Sequence, residues 1–128
     1  MVAQQLSEAK RLGVPVNHLT ELRELDVSST SGIDQKGIDG LRKLIKIDAS
    51  NNRTITNLNH LSNLRELYCA YNSGIDQNGI DQLRKIVILD CCDKVMNVNH
   101  LSELRELYCG IHTKKDLICK NLKIIYYY

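Results

Sequence analysis

Apolar residues occupy positions one, four and six of a unit written L-x-x-L-x-L, and six copies stand in register along the chain. They are Leu22-Leu25-Val27, Leu44-Ile47-Ala49, Leu64-Leu67-Cys69, Ile86-Leu89-Cys91, Leu104-Leu107-Cys109 and Leu122-Ile125-Tyr127. Positions four and six alternate with polar residues, as in a strand with one buried face. Position one enters the same core from the turn before. A further apolar residue stands three places earlier still: Leu19, Leu41, Leu61, Leu83, Leu101 and Cys119. The pattern predicts six short parallel strands, each reached through a tight turn.

The polar positions repeat too. The phrase at 17–25 (NHLTELREL) returns at 59–67 and 99–107, and SGIDQKGIDGLRKL at 31–44 returns as SGIDQNGIDQLRKI at 73–86. Self-similarity at this period marks a solenoid, in which each unit buries its apolar edge only against its neighbours. Two return paths alternate. After strands two and four, apolar residues recur every third position (Ile55-Leu58-Leu61-Leu64 and Val95-Val98-Leu101-Leu104), which predicts 3₁₀ or extended turns. After strands one and three the path is longer, with Ile33, Ile38 and Leu41 or Ile75, Ile80 and Leu83, and predicts a short helix. Gly37 and Gly79 cost such a helix about 1 kcal/mol each relative to alanine, which keeps it short.

In its L-x-x-L-x-L-x-x-N arrangement the chain resembles the leucine-rich repeat family over about residues 16 to 128. The short return paths are similar to those of internalin-type repeats of bacterial, protist or giant-virus style. The resemblance implies a right-handed α/β solenoid: about six parallel strands on a concave face, with 3₁₀ turns and short helices on the convex side. It also implies an Asn column that bonds to backbone. Only Asn52 and Asn72 keep it, while Thr30, Lys94 and His112 depart. Residues 1–15 are expected to form an N-terminal cap segment, with the repeat domain over 16–128.

Composition narrows the chemistry. The 128 residues carry a net charge of +2 and are 43% hydrophobic, with neither Trp nor Phe. The charge is too small to force a nucleic-acid or membrane partner. No apolar run approaches the roughly 20 residues of a membrane span, and the first residues lack the apolar core of a secretory signal. The odd count of five cysteines contains no C-x-x-C pair and fits a reducing compartment. Four of them (Cys69, Cys91, Cys109, Cys119) fall on core columns, and Cys92 is expected to be accessible. The expected location is cytoplasmic, including a host cytoplasm for a pathogen-derived chain.

Candidate chemistry is sparse. His18, His60 and His100 share one repeat position in alternate repeats, so they stand about 10 Å apart on strands spaced by about 4.8 Å. Ligands of one metal ion lie about 2 Å from it, which excludes a shared site. No nucleophile motif, phosphate-cradling glycine loop or HExxH stretch occurs, so neither a cofactor nor catalysis is expected.

Function is expected on the outward columns. One reads Glu24, Lys46, Glu66, Ile88, Glu106 and Ile124, the next Asp26, Asp48, Tyr68, Asp90, Tyr108 and Tyr126. An acidic half thus passes into a tyrosine-rich half, and tyrosine is enriched at binding hot spots. The expected partner-binding residues are Asp26, Asp48, Glu66, Tyr68, Tyr71, Asp90, Glu106 and Tyr108, engaging a protein of basic or mixed charge without chemistry. Two alternatives stay open: self-association through a C-terminal edge strand, with Tyr126 and Tyr128 at the contact, or a role as substrate-recognition part of a larger assembly. A basic ridge (Arg23, Arg65, Arg105 and Lys123, with Arg42-Lys43 and Arg84-Lys85) lacks interleaved aromatics, which disfavours nucleic acid.

Overall fold

The computed structural model describes residues 18–29, 32–91, 93–110 and 122–127. The expected cap segment, Thr30, Cys92, His112, Cys119 and Tyr128 lie outside them. Six strands form one parallel sheet in sequence order: β1 (Glu24–Asp26), β2 (Lys46–Asp48), β3 (Glu66–Cys69), β4 (Ile88–Cys91), β5 (Glu106–Gly110) and β6 (Lys123–Tyr127). Every strand pairs with the next in chain order, so the chain advances by one layer per repeat: a parallel β-solenoid.

The register of the first five strands follows the L-x-x-L-x-L alignment, with Leu25, Ile47, Leu67, Leu89 and Leu107 in consecutive rungs. These leucines and isoleucines form one continuous buried ladder with the position-one residues Leu22, Leu44, Leu64, Ile86 and Leu104. Cys69, Cys91 and Cys109 are buried in it as free thiols, behaving as small apolar side chains.

Strand six departs from the alignment by one residue. Leu107 pairs with Ile124 rather than Ile125, and Tyr108 pairs with Ile125 rather than Tyr126. A one-residue slip exchanges the two faces of a strand, and alternation is what normally forbids it. The run Ile124-Ile125-Tyr126-Tyr127 does not alternate, so the repeat template had no physical hold on its register. Tyr126 consequently pairs with Cys109, off the outward column assigned to it.

The three-residue period of the short return paths appears as tight turns. Leu61 and Leu64 donate backbone bonds to Leu58 and Leu61, and Leu101 and Leu104 donate likewise to Val98 and Leu101. The long paths differ from the expectation of two helices. The first contains a single turn, α1 (Gln35–Ile38), with Asp34 as N-cap accepting from the Gly37 amide. The second keeps the same cap, Asp76 accepting from Gly79, but continues in turns. Asn78 replaces Lys36 here, a poorer helix residue, and its carbonyl accepts a bond from Asn59 in the preceding layer. Gly79 also has a reason beyond helix propensity: a Cβ there would collide with the carbonyl of Thr56. The layers approach too closely for a side chain.

The alternation of long and short paths has a bonding logic. From each long path a glutamine reaches into the next short one and acts like a strand edge. Gln35 Oε1 accepts from the amides of Thr56 and Asn57 while its Nε2 donates to Asn57 O. Gln77 repeats this on Met96 and Asn97. In the reverse direction the short path returns a histidine: His60 Nε2 lies 3.2 Å from Ile38 O, and His100 Nε2 lies 3.2 Å from Ile80 O. A carbonyl only accepts, so Nε2 carries the proton in both.

Candidate functional site

The residues expected to bind a partner lie mainly on the outer face of the sheet, opposite the buried ladder. Alternation along each three- to five-residue strand turns two side chains outward per rung. One column reads Glu24, Lys46, Glu66, Ile88, Glu106 and Lys123; its neighbour reads Asp26, Asp48, Tyr68, Asp90, Tyr108 and Ile125. The face therefore gathers Asp26, Asp48, Glu66, Tyr68, Asp90, Glu106 and Tyr108 into one surface. Six carboxylates stand there against Lys46 and Lys123.

The two tyrosines are held alike. Tyr68 Oη donates to Glu66 Oε1 at 3.1 Å, and Tyr108 Oη donates to Glu106 Oε2 at 3.2 Å. Each pair joins residues two apart on one strand, and the pairs flank Asp90 on β4. Loss of solvent around Tyr68, reinforced by Glu66, pushes its phenol up to about 12. The bond to Glu106, then desolvation, raises Tyr108 as well. Both phenols stay neutral donors in any ordinary buffer. Lys46 Nζ sits 5.8 Å from the centre of the Tyr68 ring, within cation–π range.

At the β1–β3 end lies an open depression of about 510 Å³ lined by Glu24, Leu25, Asp26, Lys46, Asp48 and Tyr68. Asp26 and Asp48 face one another across adjacent rungs, and like charges so placed repel. Both carboxylates also serve their own turns: Asp26 Oδ1 accepts from the amide and hydroxyl of Ser28, and Asp48 Oδ1 accepts from the amide of Ser50. The aspartate column thus has a local structural use that the sequence pattern did not reveal.

Tyr71 stands apart, in the turn after β3. It is 68% exposed and has φ of 59°, in the left-handed region. Asn51 and Ser29 hold the same conformation at the equivalent positions of the two preceding repeats, so the turn demands it. A bulky residue there is an outlier in a place that suits Gly or Asn. Of the edge tyrosines, Tyr126 belongs to β6 and Tyr128 lies outside the described residues.

The Asn column is realised once as expected. Asn52 is buried, donates from Nδ2 to Val27 O and Ile33 O, and accepts at Oδ1 from Thr54 and Ile55. Asn72, the other match, is exposed, and the neighbouring Ser73 takes the interior with its hydroxyl accepting from the Ile75 amide. One repeat later Lys94 bonds to Ser73 O at 3.1 Å. The sequence reading also missed Lys46, whose signal is a lone cation interrupting an acidic column.

Among the described residues no group of three or more His, Cys, Asp or Glu side chains is placed to hold a metal ion, and no helix is long and apolar enough to cross a membrane. No protein-family model matches the chain, and a search of curated proteins returns no match.

Proposed function

We propose that the chain is a leucine-rich-repeat-type recognition module that binds a protein partner, without catalysis, through the outer and concave face of its sheet. The observation that carries this reading is the arrangement of Tyr68 and Tyr108, two surface phenols oriented by Glu66 and Glu106 on either side of Asp90. Oriented tyrosines bring apolar area and a hydrogen-bonding tip at little entropic cost on binding. The depression beside them favours a basic side chain, because a cation between Asp26 and Asp48 relieves their repulsion. Tyr71 supports the reading independently. A strained, exposed aromatic lowers stability, and such outliers cluster at functional positions. The partner is then a protein of basic or mixed charge, met in a reducing cytoplasm that suits the buried free thiols.

The test is retention of partners on immobilised wild-type protein and on Tyr68→Ala/Tyr108→Ala. The reading expects a protein held by the first and released from the second, with melting temperatures nearly equal. Equal retention would move the site off this face.

Self-association through β6 is the second reading, supported by its apolar Ile124-Ile125 run at the end of the sheet order. Light scattering over a hundredfold concentration range decides it: a rising mass supports it and a constant mass removes it.

A further inference from the structure

The turns leading into the strands carry a surface of opposite sign. Arg23, Ile45, Arg65, Val87 and Arg105 occupy consecutive rungs, joined by backbone bonds from each amide to the carbonyl of the preceding member. The order is cation, apolar, cation, apolar, cation, with exposed arginines and half-buried Ile45 and Val87. Lys43 and Lys85 precede the two apolar rungs. A groove of about 410 Å³ is lined by Arg23, Lys43, Ile45, Asn63, Arg65 and Lys85. Of the neighbouring acids, Glu21 is tied to Lys43 at 2.8 Å, and Glu103 stands in the turn before β5. Glu24, Glu66 and Glu106 directly follow the three arginines, the last two accepting from Tyr68 and Tyr108. The groove's lining itself contains no carboxylate.

We propose that this groove binds an extended acidic peptide segment whose carboxylates recur at every third residue. Rungs of a parallel sheet are about 4.8 Å apart, so arginines on alternate rungs repeat at about 9.6 Å. A polyproline II segment advances about 3.1 Å per residue with three residues per turn, which returns a side chain to the same face every 9.3 Å or so. Its carboxylates meet Arg23 and Arg65 in the groove and Arg105 two rungs beyond it, and the planar guanidinium groups suit bidentate pairing. Its intervening residues lie over Ile45 and Val87. An extended β segment repeats a face at about 6.8 Å and falls out of step. A nucleic acid finds no aromatic platform among the lining residues, and the apolar rungs offer its phosphates nothing.

The test is fluorescence anisotropy at low ionic strength with a labelled peptide of four Glu-Pro-Pro units. Controls are a peptide of the same composition with its glutamates clustered, and an oligothymidylate. The spaced peptide should bind at least tenfold more tightly than the clustered one, and Arg65→Glu should weaken it at least tenfold with an unchanged circular-dichroism melt. Arg105→Gln reads the same contact should Arg65→Glu fail to fold. Tyr68→Ala/Tyr108→Ala should leave peptide affinity unchanged, which separates this groove from the partner face. Absence of binding, equal affinity for both peptides, or indifference to both arginine variants would overturn the proposal. So would tighter binding of the oligothymidylate. Dimerisation abolished by Arg65→Glu without peptide binding would instead seat a second copy's acidic face in the groove.

Discussion

The return-path side and the outer sheet face are both rich in polar side chains, yet they use them in opposite ways. On the return paths Gln35, Gln77, His60, His100 and Asn52 bond to backbone groups of a neighbouring layer. Those bonds span 19 to 25 residues of sequence and close gaps that no strand ladder reaches. On the outer face, Tyr68, Tyr108, Asp26 and Asp48 bond to side chains or turns two residues away. A bond between layers is part of the fold. A bond between surface neighbours, solvated on one side, can be exchanged for a ligand at little loss. The difference separates side chains that join layers from side chains that bond within one surface.

The largest effect should come from neither surface but from the ladder between them. Leu67 is fully buried, and Leu67→Asp removes about 1.5–3 kcal/mol of burial and adds an unpaired interior charge. The variant should show no cooperative melting transition by circular dichroism. Next come the two asparagines that the repeat template treats as equals. Asn52→Ala removes the side-chain bonds to the carbonyls of Val27 and Ile33 and should cost about 2–4 kcal/mol in urea denaturation. Asn72→Ala, at an exposed position, should stay within about 0.5 kcal/mol. Equal losses would restore a uniform ladder and break the distinction.

Smaller effects probe the outer face. Tyr71→Gly relieves a left-handed backbone worth about 1 kcal/mol and should raise the melting temperature, even as a partner that uses the ring binds more weakly. The smallest effect is a pH signature. Because the fold favours the neutral Tyr68 phenol, its contribution to stability is complete below the ordinary tyrosine value near 10. It is lost as pH rises toward about 12. Ultraviolet difference titration of wild type against Tyr68→Phe should show that the phenol lost in the variant ionises well above 10, toward about 12; a missing phenol that ionised near 10 would deny the burial and the Glu66 contact.

The parallel strands, their order and the register of the first five were legible in the sequence, because alternation with one buried face allows a single alignment. The register of strand six was not, since Ile124-Ile125-Tyr126-Tyr127 is apolar on both faces. The tyrosine and aspartate columns were legible for the same reason as the strands. Their local bonds to Glu66, Glu106, Ser28 and Ser50 were not, because a two-residue offset is also the ordinary spacing of unrelated surface residues. The role of the SGIDQ phrase was hidden for a different reason. Gln35 and Gln77 find their partners about twenty residues away, at a distance set by the layer stacking and by nothing local. Asn72 misled because Ser73 turns inside in its place although the turns Ala49 to Ile55 and Cys69 to Ile75 are equally long, and a column template has no means of seeing that.

The contrast between the two surfaces is tested most directly by comparing two double variants in equilibrium denaturation. Gln35→Ala/Gln77→Ala removes both interlayer clamps and should lose about 2–4 kcal/mol. Tyr68→Ala/Tyr108→Ala removes the outer-face pair and should lose about 1 kcal/mol or less. The glutamine pair should therefore cost more stability than the tyrosine pair. A tyrosine variant as damaged as the glutamine variant, or more so, would mean that the outer face holds the fold together, and the division drawn between stacking and recognition would be wrong.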